Sequence, residues 1–313
     1  MSDPVAENQR SDAILVIKLG ALGDIVLATG PFAALRRHHA GARLILLTTA
    51  PFADWLRASP WFDEVWIDDR PPWWQIGGWW ALRQRLRSAG FRRIYDLQTS
   101  SRSSRYFQLL GPGRRPEWSG IAPGCSHPDA DPNRNHLHTI DRQRGQLAAA
   151  GIPDVPLPDL TWCDADLSGF GLGADLALLV PGGSAHRPEK RWPLAAFQDL
   201  AARLAAQGLT PLVLGGPGER DLADAIVAAV PAARSLAGQT GFTQVAALGR
   251  RAKLAIGNDT GPMHILAAAG CRSAVLFGSA SNPDLCAPRG DHVTVLRVPD
   301  LAGLSVETVM AAL

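Results

Sequence analysis

Short apolar runs alternate along this chain with longer stretches in which apolar residues recur every three to four positions. The runs cover 13–18 (AILVIK), 43–48, 65–68 and 93–96 in the first half. In the second half they cover 176–180, 211–214, 253–257, 273–277 and 293–298. Their length suits strands, and their near-continuous apolarity suits strands covered on both faces, as in a parallel sheet. Between them the spacing predicts helices over 25–39, from Pro51, and over 101–110, 138–150, 194–207, 220–230, 241–251 and 263–269. Ser305 is placed to cap a terminal helix. The segment 116–135, rich in Pro, Gly and Asp, predicts loop.

The alternation occurs twice. Between the two sets lies 152–159, with Pro153, Pro156 and Pro158 at nearly alternate positions, which predicts an extended linker. The expected architecture is therefore α/β, with two doubly wound domains over 1–158 and 159–313. Such sheets bind ligands beyond the carboxyl ends of their strands, so a site between the domains is expected.

Composition narrows the function classes. A formal charge of +2 carries no strong field for nucleic acid, although basic residues cluster between Arg83 and Arg115. The four cysteines form no CxxC pair, which fits a reducing compartment and argues against a zinc knuckle. The opening MSDPVAENQRSD has no apolar signal core, and no apolar run is long enough to span a bilayer, so a cytoplasmic location is expected.

Four places hold candidate chemistry. Asp24 follows the first strand and the glycines Gly20 and Gly23 at the mouth of a helix. It reads either as an ordinary cap or as a general base toward a bound hydroxyl. Gly182, Gly183 and Ser184 follow a strand, where amides can wrap a phosphate. Arg187, Lys190 and Arg191 bring charge to the same loop, which otherwise reads as a solvated basic loop. Glu219, after a glycine turn, suits either ribose hydroxyls or a plain first helical turn. Asn258–Pro262 (NDTGP) opens a helix whose free amides attract anions, and His264 is either a phosphate contact or a satisfied core histidine. The glycine spacing after the first strand is not GxGxxG, which argues against a dinucleotide-dependent oxidoreductase.

Taken in order, IKLGALGD, HTIDRQRGQLAAAGI, PGGS…KRWP, GGPGE, NDTGPMH and LSVETV resemble the ADP-heptose:lipopolysaccharide heptosyltransferases, glycosyltransferase family 9. The resemblance covers nearly the whole chain. It implies the GT-B fold, with two Rossmann-like domains facing across a cleft and acceptor binding assigned to the first domain and nucleotide-sugar binding to the second. It leaves room for the last helix to pack back on the first domain. It implies inverting transfer of a heptose or related sugar from an ADP-sugar to a lipopolysaccharide core or related envelope glycan. The alternatives are another nucleotide-sugar donor, or a donor-binding protein without transfer activity.

By the same resemblance Asp24 matches the catalytic base and Lys190 the lysine that meets the donor phosphates. Ser184, Glu219, Asp259, Thr260, Gly261 and His264 match donor-binding positions. No cofactor and no metal is implied, and Asp68–Asp69 is an adjacent pair, not one spaced to hold a metal, and lies in the first half of the chain. Arg102 and Arg105, past a strand of the first domain, are candidates for an acidic acceptor. Trp73, Trp74, Trp79 and Trp80 beside a basic segment suit either peripheral contact with the cytoplasmic face of the inner membrane or a contact within the fold.

Overall fold

A computed structural model describes residues 12–113, 115–183 and 187–313. The chain divides into two compact units, Met1–Pro156 and Leu157–Leu313.

The first unit is built on six strands: β1 (Ala13–Ile17), β2 (Arg43–Thr48), β3 (Glu64–Ile67), β4 (Arg93–Asp96), β5 (Glu117–Gly120) and β6 (His127–Pro128). All pair in parallel, in the order β3-β2-β1-β4-β5-β6. The helices are α1 (Leu22–Leu27), α2 (Thr29–His38), α3 (Ala50–Arg57), α4 (Ile76–Ser88), α5 (Ser101–Leu109) and α6 (Thr139–Ala149). The expected single helix over 25–39 is two. Pro31 has no N–H to continue the first helix, and a new first turn starts at Thr29. The expected loop 116–135 contains β5 and β6. Trp118 is fully buried there against Phe107, and this packing outweighs the local turn residues.

The second unit repeats the plan with β7 (Leu176–Val180), β8 (Thr210–Val213), β9 (Arg234–Ser235), β10 (Leu254–Asn258), β11 (Ser273–Phe277) and β12 (Val293–Arg297). Its parallel sheet runs β12-β11-β10-β7-β8-β9. The helices are α7 (Leu194–Ala206), α8 (Arg220–Ala229), α9 (Phe242–Arg251), α10 (Gly261–Ala268), α11 (Pro283–Cys286) and α12 (Val306–Ala311). Ser305 caps α12 through the Thr308 amide, and Val306 and Val309 join the second unit's own core, with α12 against α7. Trp192, buried in that core, donates its indole N–H to the Leu304 carbonyl at 2.9 Å.

Counted within each unit, the strand order is the same: third, second, first, fourth, fifth, sixth. The order reverses between the first and fourth strands, where neighbouring loops part and leave a crevice at the carboxyl ends. In the first unit these strands are β1 and β4; in the second they are β7 and β10.

Candidate active site

In the first unit the crevice grows from β1. Its apolar run leads directly into Lys18, which is 4% exposed, and the ammonium donates to the Leu97 carbonyl after β4 at 3.2 Å. Burial lowers the Lys18 pKa, while the charges of Asp24 and Asp96 oppose the shift. The Leu19 amide donates to Gln98 Oε1 at 2.8 Å, which ties the two strand ends together. Asp24 sits in the first turn of α1, and its Oδ2 accepts the Ala21 amide at 3.3 Å. The N-cap residue is therefore Ala21 and not Asp24, which instead stands at the third helical position and receives the N-cap amide. The same side chain also lines a polar cavity of about 70 Å3 with Lys18, Gln98, Arg134, Arg142, Gln143 and Gln146.

Beyond β4 the chain turns through Thr99 at a φ of 42°, a conformation costly for a β-branched residue. Asp96 holds that turn, its Oδ1 accepting the Gln98 and Thr99 amides at 3.1 and 3.0 Å. Burial raises the Asp96 pKa to about 6 in spite of these donors. Arg102 and Arg105 do not line the cavity. Arg102 donates to the Pro71 carbonyl at 3.1 Å and lies over the Trp79 ring at 5.3 Å, so it fastens the start of α4. Arg105 is exposed on α5.

In the second unit the crevice is made by the loops after β7 and β10. Asp259 and Lys190 form an ion pair of 2.9 Å, with side chains 8% and 16% exposed. His264 Nε2 lies 4.0 Å from the other Asp259 oxygen. Thr260 is the N-cap residue of α10 in extended conformation. Its hydroxyl donates back to the Asn258 carbonyl instead of capping, so the Gly261 end of the helix keeps its positive pole for a ligand. Pro262 stands in the first turn, where no N–H is needed.

Glu219 is more constrained than its sequence context shows. Its Oε1 accepts the Gly183 amide at 2.9 Å and its Oε2 the Gly216 amide at 2.7 Å, so it joins the loops after β7 and β8. A Cβ on Gly182 would fall 1.7 Å from Oε1, hence glycine at that position. A carboxylate has about four acceptor sites, so Glu219 can still receive donors from a ligand. Arg191 donates to the Gly183 carbonyl at 2.6 Å and Arg187 to the Ala280 carbonyl at 2.7 Å. Ser184 lies outside the described residues.

The sequence profile of glycosyltransferase family 9 (heptosyltransferase) matches residues 79–308. The chain belongs to glycosyltransferase family 9. Lipopolysaccharide heptosyltransferase 2 of Escherichia coli strain K12 is 31% identical to this family member over 254 residues, covering 72% of the chain and 70% of the relative. Lipopolysaccharide heptosyltransferase 2 of Salmonella typhimurium is 30% identical over 171 residues, half of this chain; the match spans 48% of the relative's length. The solved E. coli ADP-heptose lps heptosyltransferase II superposes with a TM-score of 0.80 at 22% identity, over 96% of this chain and 97% of that one. The fold is accordingly the GT-B type of this family.

Among the described residues no group of three or more His, Cys, Asp or Glu side chains is placed to hold a metal ion. No described helix is long and apolar enough to cross a membrane.

The sequence reading missed several residues of these crevices and took Asn258 only as part of the turn that opens α10. Asn258, fully buried, accepts the Trp192 amide and donates to the carbonyls of Pro181 and Gly182 at 2.8 and 3.1 Å, fixing three loop segments at once. Lys18 carried a signal: a lysine closing a buried strand must be matched by something at the strand end. Arg134 carried none, and Arg142 and Gln143 only their place in HTIDRQRGQLAAAGI, because only the fold brings α6 and the turn before it beside β1.

Proposed function

We propose that this chain transfers a heptose, or a closely related sugar, from an ADP-sugar to the core of a lipopolysaccharide or a related envelope glycan, with inversion at the anomeric carbon. One observation carries the reading: an ion-paired lysine, Lys190 on Asp259, stands at the open amino end of α10 at the crevice of the second unit. A cation and a helix amino end together suit a diphosphate. The family relationship supports the sugar, since the similar solved structure is named for ADP-heptose.

In this reading the acceptor hydroxyl attacks the anomeric carbon on the face opposite the diphosphate. The new C–O bond forms as the bond to the diphosphate breaks, positive charge spreads over the sugar ring, and ADP departs. Asp24 takes the hydroxyl proton as general base. Lys190 and the amide of Gly261 stabilise the charge on the leaving diphosphate, His264 supports Asp259, and Glu219 receives ribose hydroxyls. The positive charge needed at the leaving group comes from side chain and helix, without a metal.

The test is a thermal-shift panel of nucleotide sugars followed by a transfer assay on heptose-deficient lipopolysaccharide. ADP-heptose at about 100 times its dissociation constant should add about 2.7 kcal/mol, and the acceptor should gain one heptose. Stabilisation by a uridine-linked sugar alone would replace the donor, and binding without transfer would leave a donor-binding protein.

The acceptor class also accounts for the surface before and along α4. Trp73, Trp74, Ile76 and Trp80 are 78%, 66%, 79% and 60% exposed, whereas Trp79 turns inward and donates to the Pro72 carbonyl. From Arg70 to Tyr95 there are six arginines and no carboxylate. Arg92 and Arg93 are paired with Asp12 and Glu117, whereas the exposed indoles beside Arg83, Arg85 and Arg87 suit the headgroup layer of an anionic bilayer. The protein should sediment with vesicles containing anionic phospholipid at low salt, and Trp73→Ser/Trp74→Ser/Trp80→Ser should lose that retention. Equal behaviour of the two proteins would remove this surface from the reading.

A further inference from the structure

In the second unit β7 and β10 pair as far as Val180 and Gly257 and then part. Their parting point is tightly packed: a Cβ on Gly257 would fall 2.6 Å from the Val180 Cβ and 2.8 Å from the Met263 sulfur. At the next residue the side chain of Asn258 takes over from the ladder. Asn258 is fully buried, its Nδ2 donates to the carbonyls of Pro181 and Gly182 at 2.8 and 3.1 Å, and its Oδ1 accepts the Trp192 amide at 2.9 Å. The partners fix the orientation of the amide, because carbonyls only accept and a backbone N–H only donates. Pro181, Gly182 and Trp192 are themselves buried, so these backbone groups would be costly to leave unpaired. No other side chain type of this size serves all three. Asp would set a carboxylate oxygen against two carbonyls, and Leu would strand every partner.

We propose that Asn258 is a positioning residue for sugar transfer: its amide sets Lys190 and the Gly182–Gly183 backbone at the spacing the donor diphosphate requires. The inference rests on the transfer reading above and deepens it by naming what preorganises the groups that meet the diphosphate. Asn258 and Asp259 are consecutive, and Lys190 stands two residues before Trp192. The same two segments are therefore held twice, by the Asn258 amide and by the Asp259–Lys190 ion pair of 2.9 Å. The ion pair alone fixes one distance from the Lys190 ammonium. Holding the backbone close to Lys190 also restricts the direction from which its long side chain approaches, so less freedom is lost when a ligand binds. Trp192 is anchored from behind as well, through its indole N–H on the Leu304 carbonyl. On the other flank Gly182 leads into Gly183, whose amide is held by Glu219. Asn258 acts through these groups.

The test uses Asn258→Asp in the full chain, with Asn258→Ser as a smaller, uncharged variant if the first does not fold. Titration calorimetry with ADP and with adenosine separates the two possible roles. In a folded variant ADP affinity should fall by roughly ten- to hundredfold, the scale of one or two lost hydrogen bonds at a buried group. Adenosine affinity should stay at the wild-type value, because the nucleoside carries no phosphate for Lys190 to meet. In the transfer assay the donor KM should rise and the acceptor KM should not. A merely structural Asn258 would lower the urea midpoint and leave the ratio of ADP to adenosine affinity unchanged; that result, with an unaltered donor KM, overturns the proposal. Failure of the wild type to bind ADP would instead overturn the transfer reading.

Discussion

Asp24→Asn should lower the rate of sugar transfer by roughly 10²- to 10⁴-fold, the usual worth of a positioned general base, with donor affinity close to wild type. The substitution is chosen to separate chemistry from structure. Asn keeps an oxygen that can accept the Ala21 amide, so the first turn of α1 retains its bond and the fold its stability. What disappears is the capacity to receive a proton. If Asp24 were only a cap, Asn would serve as well and transfer would persist. Single-turnover rates and donor titration calorimetry on the two proteins decide the matter. Undiminished turnover in the Asn variant would remove Asp24 from the mechanism.

The second large effect is expected at Lys190. Lys190→Ala should weaken donor binding at least tenfold and reduce turnover by a further factor of roughly 10²–10³, since a preorganised cation acts both on the bound diphosphate and on its departure. It should also destabilise the second unit by about 3 kcal/mol, because Asp259 is left as a largely buried, uncompensated carboxylate. The two consequences can be separated. Lys190→Ala/Asp259→Asn removes the stranded charge and should recover most of the stability, as read by urea unfolding, without recovering donor affinity. Recovery of donor binding in the double variant would show that Lys190 serves only to neutralise Asp259.

These experiments address groups that the sequence exposed to different degrees. Asp24 and Lys190 were legible only as candidates, in a glycine turn between strand and helix and in a basic loop after a buried strand, and their proposed roles rest on the family resemblance. Glu219 was legible as a carboxylate at a turn, but its grip on the Gly183 and Gly216 amides was not. That grip joins positions 36 residues apart, and no local pattern encodes such a partner. Arg102 differs in the opposite direction. It follows a strand and reads as a ligand, yet its guanidinium is directed to the Pro71 carbonyl and the Trp79 ring.

By itself the sequence determined the order of strands and helices, the doubling of the alternation and the residues that cap its turns. Periodicity, proline geometry and capping are properties of neighbouring residues, and they act before any distant contact forms. Only the tertiary structure decided the rest: the strand at 117–120 drawn from a turn-rich segment by the burial of Trp118, and the helix 76–88 formed despite Gly77 and Gly78 because Trp79, Leu82 and Leu86 pack on the core. It alone brought Lys18, Arg134, Arg142 and Gln143 around one cavity. Which charges meet in a crevice depends on strand order in the sheet, and strand order is set by packing between elements far apart in the chain.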